Sequence, residues 1–241
     1  MSKKLVIIPT YNEIENISAM IDKVFSLSVD FDLLILDDGS PDGTAKVVKE
    51  RMAEFADRLF IIERKGKLGL GTAYLAGFKW GLEQGYDYFF EMDCDFSHDP
   101  DDLVRLYEAA KGGSDVVVGS RYVKGVNVVN WPMSRLLMSY FASKYVRMVT
   151  RMKVNDATAG FVCYTRKVLE TINLDGVKMK GYGFQVEMKY TAWKFKFKIE
   201  EVSIIFTERQ EGASKMSGGI FGEALFGVFA LPFRTIKPKV K

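Results

Sequence analysis

Apolar residues occur in five short, nearly continuous runs in the first half of the chain. These runs cover residues 5–9, 33–36, 59–62, 88–92 and 116–119. Runs of this length without alternation are typical of parallel strands that are covered on both faces. Between them, residues 13–25, 44–55, 72–84 and 100–111 have the pattern of helices. The alternating order predicts an α/β fold with an open, twisted sheet of the Rossmann type.

The pattern changes after Trp131. Apolar residues recur at helical spacing with basic residues between them, which predicts a basic amphipathic helix over residues 131–151. We expect about half of its apolar side chains to belong to the core. Residues 184–193 predict another helix, 198–206 a strand, and 220–231 a final apolar helix. We therefore expect one main domain over residues 1–215, followed by an apolar helix and basic tail over residues 216–241.

Length and composition favour a single domain in a reducing compartment. The chain has 241 residues, of which 48% are hydrophobic, which is enough for one sizeable core. Two cysteines cannot form a disulfide framework. No apolar stretch of signal-peptide length follows the N-terminus, and the stretch over residues 220–233 contains Glu223 and is too short to span a bilayer. We expect a cytoplasmic protein without a transmembrane helix.

The charge is distributed unevenly although the net charge is only +3. No acidic residue occurs between Asp115 and Asp156, and this window contains seven basic residues: Arg121, Lys124, Arg135, Lys144, Arg147, Arg151 and Lys153. From Gly212 to the end, five basic residues accompany one acid. The pattern indicates an anionic partner, which could be a phosphate, an anionic lipid or a nucleic acid.

Asp93 and Asp95 directly follow the fourth apolar run. Ligands collect at the carboxyl ends of the strands in sheets of this kind. Two carboxylates there can bind one hard cation. The alternative is that Asp95, Ser97 and Asp99 cap the helix that begins near Pro100. We assign only Asp99 to capping and predict a metal site at Asp93 and Asp95.

A second acidic pair, Asp37 and Asp38, follows the second run. Residues 39–43 are turn formers and predict a turn with a helix cap. They do not explain the two adjacent carboxylates, one of which could hydrogen-bond a nucleobase. Residues 67–73 lack the full pattern of a dinucleotide or P-loop motif and predict a tight strand-to-helix turn. For His98, the only histidine, we expect a supporting or capping role.

Seven segments in order resemble the dolichyl-phosphate mannose synthases and related polyprenyl-phosphate glycosyltransferases, which are inverting enzymes of glycosyltransferase family 2. They are residues 9–13, 37–44, 68–74, 92–100, 119–122, 181–187 and 209–215. The resemblance implies a GT-A, Rossmann-like nucleotide-diphospho-sugar transferase fold with a mostly parallel sheet flanked by helices. It also implies transfer of a sugar, mannose from GDP-mannose, to a polyprenyl or dolichyl phosphate.

The resemblance also implies a role for individual residues. The guanosine part of the donor would contact Pro9, Tyr11, Glu13, Leu36 and Asp38. The metal, Mg²⁺ or Mn²⁺, and the diphosphate would lie at Asp93, Cys94 and Asp95, with Ser97 as a further ligand. Phosphate groups of donor or acceptor would contact Arg121, Arg209 and Lys215, which complete the catalytic set with Asp93 and Asp95. The acceptor entrance would lie at Trp131 and Arg135.

The basic and apolar C-terminal half predicts peripheral binding at the cytoplasmic face of a membrane, with or without an anchoring partner protein. Nucleic acid is not expected, because the basic residues lie on an apolar helix rather than among stacking aromatic rings. The small residues 212–214 favour a loop that closes over the donor, and a plain exposed loop is the alternative. Two other functions stay open: a UDP-sugar transferase on the same fold and a non-catalytic membrane-surface scaffold.

Overall fold

The structure, a computed structural model, describes residues 2–181, 183–208 and 226–239. The strands are β1 (Lys4–Thr10), β2 (Asp32–Asp37), β3 (Leu59–Glu63), β4 (Tyr88–Glu91), β5 (Val116–Ser120), β6 (Val128–Val129), β7 (Val162–Thr165), β8 (Ile199–Ser203) and β9 (Phe206–Thr207). The helices are α1 (Ile14–Phe25), α2 (Thr44–Arg51), α3 (Leu70–Glu83), α4 (Asp102–Lys111), α5 (Met133–Thr150), α6 (Arg166–Thr171) and α7 (Gly183–Lys194). Residues 226–230 are also helical.

Seven strands form one mostly parallel sheet in the order β3-β2-β1-β4-β7-β5-β8. Only β7 runs antiparallel to its neighbours, β4 and β5. The chain builds outward from β1 to β3 and then crosses back to β4 on the other side of β1. A cleft opens where the direction of winding reverses, and in such sheets it is the usual ligand site. The prediction of an α/β fold with a mostly parallel sheet is confirmed.

All five apolar runs form strands, and each helix predicted before residue 200 is present. The helix predicted over residues 220–231 lies partly outside the described residues, and its residues 226–230 are helical. Two details were wrong. The helix predicted over residues 44–55 ends at Arg51, and the strand predicted over residues 198–206 is divided into β8 and β9. The division occurs because β9 leaves the main sheet and pairs with β6 in a small separate sheet. Neither β7 nor α6 was predicted.

The core consists of two apolar layers, one on each face of the sheet. Side chains alternate along β1, so that Leu5 and Ile7 join one layer while Val6 and Ile8 join the other. The first layer also contains side chains of α3, α6 and α7, together with Val228. The second contains side chains of α1, α2 and α4. The cleft edge therefore rests on rigid, fully covered strands.

Gly69 and Gly71 make the predicted turn before α3 possible. Gly69 has a φ of +99°, which is a left-handed conformation that favours glycine. A Cβ atom on Gly71 would lie 2.7 Å from Cγ of Phe184 at the start of α7. Gly71 therefore allows α3 and α7 to approach closely, and the interpretation as a strand-to-helix turn is confirmed.

Helix α5 is only partly embedded in the core. Of its apolar side chains Val146 is buried, and Tyr145 and Val149 pack against the core from partly buried positions. Its large exposed apolar residues are Met133, Leu137, Met138, Phe141 and Met148. Within the described ranges, none of the helices is both long enough and apolar enough to cross a membrane.

Candidate active site

In the acidic pair of Asp37 and Asp38, the first carboxylate has a structural role and the second can contact a ligand. Asp37 is buried, and its Oδ2 accepts hydrogen bonds from Thr10 Oγ1 at 3.0 Å and Ser40 Oγ at 2.6 Å. Its Oδ1 accepts a further bond from the Ser40 main-chain N–H at 2.9 Å. Asp37 therefore fastens the end of β1 to the turn after β2 and needs no ligand.

Asp38 pairs with an arginine that the sequence analysis did not single out. Arg64 Nε lies 2.7 Å from Asp38 Oδ1, and Arg64 Nη2 donates to Thr72 Oγ1 at 3.0 Å. Burial raises the pKa of Asp38, while the charge of Arg64 opposes this shift. Nearby, Lys67 Nζ lies 3.6 Å from the centroid of the Tyr11 ring. These contacts gather a carboxylate, two cations and an aromatic ring beside the ends of β1 and β2.

The turn between Asp38 and α2 has the capping role that the sequence predicted. Oδ1 of Asp42 accepts the N–H of Thr44 at 3.0 Å, and Oδ2 accepts the N–H of Ile14 at 3.1 Å. These are the first residues of α2 and α1, so one carboxylate satisfies both helix starts. The Glu13 main-chain N–H donates to Thr44 Oγ1 at 3.0 Å.

The structure thus brings four of the predicted guanosine contacts, Pro9, Tyr11, Glu13 and Asp38, to one end of the sheet. All four lie in or directly after β1 and β2, which are neighbouring parallel strands. The fifth, Leu36, is fully buried in the core. At that position only the main chain could contact a ligand.

A cavity of about 540 Å³ lies at the other side of β1, beyond the end of β4. Its polar lining includes Asp93, Asp95, Ser97, His98 and Arg121. Its apolar lining comes mainly from α5, with Met138, Phe141, Ala142, Tyr145 and Val146, and from Val186 and Val228. One wall is therefore charged and the other is suited to hydrocarbon.

The acidic wall fits a hard divalent cation. Asp93 and Asp95 line the same cavity, and carboxylate oxygens are the ligands that Mg²⁺ and Mn²⁺ prefer. Oδ1 of Asp95 accepts the Ser97 N–H at 3.1 Å, so this carboxylate is held in place. Within the described ranges no three His, Cys, Asp or Glu side chains form a metal-binding group. The remaining ligands would have to come from water, a hydroxyl group or substrate oxygens.

The main chain between these ligands is strained at Phe96. Its φ of 56° is left-handed, which is uncommon for a bulky residue and costs about 1 kcal/mol or more. Phe96 lies between Asp95 and Ser97, the two residues that hydrogen-bond across it. Cys94, on the other side of Asp95, is buried. Asp99 Oδ1 accepts the Asp101 N–H at 3.0 Å just before α4, which agrees with a capping role.

Arg121 makes a buried, two-pronged ion pair with Asp156. Nε donates to Oδ2 and Nη2 to Oδ1, both at 2.7 Å, and the Arg121 main-chain N–H also donates to Oδ2 at 3.0 Å. Burial alone would raise the pKa of Asp156, but the charge and hydrogen bonds of Arg121 lower it. Arg121 nevertheless lines the cavity, so the pair fixes a cation in its wall. The sequence signal was available, because Asp156 is the first acid after the basic window.

Arg135 and Trp131, the residues of the predicted acceptor entrance, both line the cavity. The Arg135 guanidinium carbon is 4.4 Å from the Trp131 ring centroid, and that of Arg121 is 5.4 Å from the same ring. Nη1 of Arg135 also donates to Glu208 Oε1 at 2.8 Å. Two guanidinium groups therefore lie close to the Trp131 ring, and all three side chains line one cavity.

His98 occupies a supporting position rather than that of an exposed base. Its ring stacks on Phe161 at 4.9 Å and meets Phe206 edge to face at 5.1 Å. Burial lowers the pKa of His98 to about 4, against the opposing charge of Asp95. The imidazole is therefore neutral at physiological pH.

Two buried ionisable side chains lie beneath the cavity. Glu91 and Lys189 are both fully buried, and Lys189 Nζ donates to the Ala159 carbonyl at 2.7 Å and to Gln185 Oε1 at 3.3 Å. Burial raises the pKa of Glu91 and lowers that of Lys189, and their mutual attraction opposes both shifts. Ala159 and Gln185 line the cavity, so Lys189 supports its floor. Lys189 lies just after the segment 181–187, and no feature of the sequence indicated a role for it.

Two residues of the predicted catalytic set, Arg209 and Lys215, lie outside the described residues. Their assignment, like that of the closing loop over residues 209–215, remains a prediction.

With the geometry established, the comparisons with known proteins assign the family. The profile described as glycosyl transferase family 2 matches residues 5–172. The chain belongs to glycosyl transferase family 2. It is therefore a glycosyltransferase, which confirms the class expected from the resemblance.

Relatives of this glycosyltransferase match over nearly its full length. A polyprenol monophosphomannose synthase of Mycolicibacterium smegmatis is 46% identical, covering 94% of this chain and 85% of the relative. An undecaprenyl-phosphate mannosyltransferase of Micrococcus luteus is also 46% identical, covering 93% and 91%. A dolichol-phosphate mannosyltransferase of Pyrococcus furiosus is 34% identical, with 95% of this chain and 63% of the longer relative covered.

Solved structures support the fold at lower identity. A mycobacterial protein has a TM-score of 0.70 with 16% identity, covering 95% of this chain and 74% of its own. Glucosyl-3-phosphoglycerate synthase of Mycobacterium tuberculosis, in complex with Mn²⁺, UDP-glucose and glycerol 3-phosphate, has a TM-score of 0.64 with 18% identity, covering 96% and 79%. At these identities the likeness concerns the fold alone, which is GT-A.

Proposed function

We propose that this glycosyltransferase transfers mannose from GDP-mannose to a polyprenyl phosphate with inversion at the anomeric carbon. The observation that carries the proposal is the two-sided cavity, in which Asp93, Asp95 and Arg121 face the apolar side chains of α5. A lipid phosphate has the same two characters, an anionic head and a hydrocarbon tail. The names of the relatives, which describe polyprenol, undecaprenyl-phosphate and dolichol-phosphate mannosyltransferases, support this choice.

The donor would lie across the reversal point of the sheet. Its nucleoside would contact Tyr11, Glu13 and Asp38, and its diphosphate would lie near Asp93 and Asp95. A Mg²⁺ or Mn²⁺ ion held by Asp93, Asp95 and Ser97 would neutralise charge on the leaving nucleoside diphosphate. Arg209 and Lys215 would add positive charge there as a closing loop.

The acceptor phosphate would be positioned by Arg121 and Arg135, both of which lie close to the Trp131 ring. Their fixed charges offset the repulsion between two anionic reactants. A phosphate monoester is largely ionised at neutral pH because its second pKa is about 6, so its oxygen can attack without a strong general base. This agrees with a neutral, buried His98 that does not act as a general base.

Exposed apolar side chains on the surface of the protein are suited to contact with a membrane that contains the acceptor. Phe141 and Met148 of α5 are 58% and 73% exposed, and Phe226, Phe229 and Phe233 are exposed nearby. We infer peripheral attachment at the cytoplasmic face of a membrane, with or without an anchoring partner protein. Exposed aromatic and thioether side chains are suited to the interfacial region of a bilayer.

A matrix of donors and acceptors tests this function. Purified protein is incubated with Mg²⁺ or Mn²⁺, with GDP-mannose, UDP-glucose or a UDP-amino sugar, and with defined polyprenyl phosphates, and nucleotide release and glycolipid are measured. Mannosyl lipid formed only from GDP-mannose is expected. Preferred use of a UDP-sugar would replace the donor assignment, and the absence of turnover with every pair would favour the non-catalytic scaffold.

A further inference from the structure

Helix α5 carries three parallel stripes of different chemistry. With about 100° of rotation per residue, Leu137, Phe141 and Met148 fall within roughly 40° of one another and form an exposed apolar stripe. The cavity-lining residues Met138 and Tyr145 adjoin this stripe on one side. Basic residues adjoin it on the other.

The basic patch consists of Lys144, Arg147, Arg151 and Lys153, which together with Met148 and Met152 line a shallow depression at the end of α5. All four basic side chains are exposed. Arg147 Nη1 donates to Asn155 Oδ1 at 2.9 Å, and Lys144 Nζ lies 4.6 Å from the Tyr140 ring centroid. None of the four forms an ion pair with an acid in the described part of the chain.

The helix dipole does not account for this concentration of charge. A cation near the last turn of a helix gains about 0.3–1 kcal/mol, and Arg147 alone supplies such a cation to the last turn of α5. Four cations around one depression, with no ion pair to an acid among the described residues, repel one another. An external polyanionic surface would remove that repulsion.

We propose that the basic patch binds anionic phospholipid headgroups and thereby turns the mouth of the cavity toward the bilayer. The apolar stripe lies between the patch and the cavity wall, so a membrane that contacts the stripe meets headgroup phosphates on one side and the acceptor cavity on the other. The binding step is independent of catalysis. Its consequence, better capture of an embedded acceptor, rests on the proposed function.

Vesicle binding tests the site without substrates. The protein is titrated with phosphatidylcholine vesicles with and without about one-third phosphatidylglycerol, at low and high salt. Lys144→Gln, Arg147→Gln and Lys153→Gln are combined in one variant, while Arg151 is kept because its φ of 59° is left-handed. With roughly a fivefold gain per basic residue near an anionic surface, the variant should lose about a hundredfold in binding to the anionic vesicles. Binding to pure phosphatidylcholine should change little.

The matched control removes the same charge from the other face of the sheet. It combines Lys46→Gln and Lys49→Gln on α2 with Lys111→Gln on α4. The affinity of this triple variant for anionic vesicles should stay within a few fold of that of the wild-type protein. An equal loss in both variants would reduce the effect to net charge and overturn the site. Binding to a double-stranded oligonucleotide is measured for the same proteins. If the patch variant loses as much affinity for the oligonucleotide as for the vesicles, the patch binds polyanions in general and is not a lipid site. Equal melting temperatures establish that both variants fold.

Activity then separates the inference from the proposed function. With a long-chain polyprenyl phosphate in anionic vesicles, the patch variant should show an acceptor KM at least tenfold above that of the wild-type protein. With a short, water-soluble acceptor the two proteins should have the same kcat and KM. A wild-type protein that binds the vesicles but transfers no mannose would refute the proposed function and leave the lipid site standing. An equal loss with both acceptors would overturn the role of the patch in capture of the embedded acceptor.

Discussion

At the residue scale, the decisive side chains are Asp93 and Asp95, which share the cavity with no third acidic or thiolate ligand in the described residues. With so few protein ligands, loss of either charge removes a large part of the metal site. Asp95→Asn should lower kcat by at least a hundredfold without changing the melting temperature by more than a few degrees. The exposed Asp99→Asn is the matched control and should keep near-wild-type turnover. Full activity of Asp95→Asn, or of the wild-type protein in excess chelator, would refute the metal assignment.

Asp38 should govern donor affinity rather than chemistry, because it directly follows β2 beside the proposed nucleoside contacts and does not line the cavity. Asp38→Ala should raise the donor KM about tenfold or more with a small change in kcat, measured by initial rates over a range of GDP-mannose concentrations. Its partner Arg64 would be left buried and unpaired, so thermal stability is measured in parallel. A fall in kcat at unchanged KM contradicts this role.

The buried pair of Arg121 and Asp156 should contribute to stability as well as to the site. Asp156→Asn leaves the Arg121 guanidinium without its counter-charge and should cost about 3–5 kcal/mol in urea unfolding. The control Asp175→Asn breaks an exposed pair with Lys79 and should leave urea unfolding nearly unchanged, because exposed ion pairs contribute little to stability. Because the folded pKa of Asp156 is lowered, its contribution is present above the unfolded pKa of about 3.9 and is lost as the pH falls below it.

At the element scale, the close approach of α3 and α7 gives a test of the fold. Gly71→Ala would place a methyl group against the Phe184 ring and should cost about 1–3 kcal/mol in free energy of unfolding. Phe184→Leu is the second arm of a double-mutant cycle, and the two changes should be non-additive, since the smaller side chain relieves the contact. Simple additivity would mean that the helices do not meet at this point.

The elements that the sequence predicted well are those that form a pattern along the chain. The five apolar runs and the helices between them follow from burial on both faces of a parallel sheet. Strand β7 could not be predicted in this way, because its four residues lie within a stretch without regular alternation and their direction depends on β4 and β5. The pairs Asp38 with Arg64 and Asp156 with Arg121 join residues far apart in sequence. The sequence indicated a role for Asp38 and Arg121 but not for their partners, Arg64 and Asp156.

At the scale of the whole molecule, residues 226–239 are joined to the main core, which bears on the predicted division of the chain after residue 215. Leu231 is fully buried and Val228 nearly so, and both belong to the same apolar layer as α3 and α7. Arg234 Nη1 lies 3.1 Å from Glu187 Oε1, and the Lys239 N–H donates to the Thr171 carbonyl at 2.9 Å. The segment therefore closes the core and, through Val228, one wall of the cavity.

This connection predicts that the C-terminal segment is needed for stability as well as for membrane contact. Leu231→Ala should lower the free energy of unfolding by about 2–5 kcal/mol, because it leaves a cavity in the core. Phe233→Ala, at a side chain that is 78% exposed, should change it by about 0.5 kcal/mol or less. If residues 216–241 were a separable attachment, both substitutions would leave urea unfolding unchanged. The opposite pattern is expected for vesicle binding, where Phe233→Ala should weaken attachment in the folded protein because it removes apolar surface from the bilayer contact.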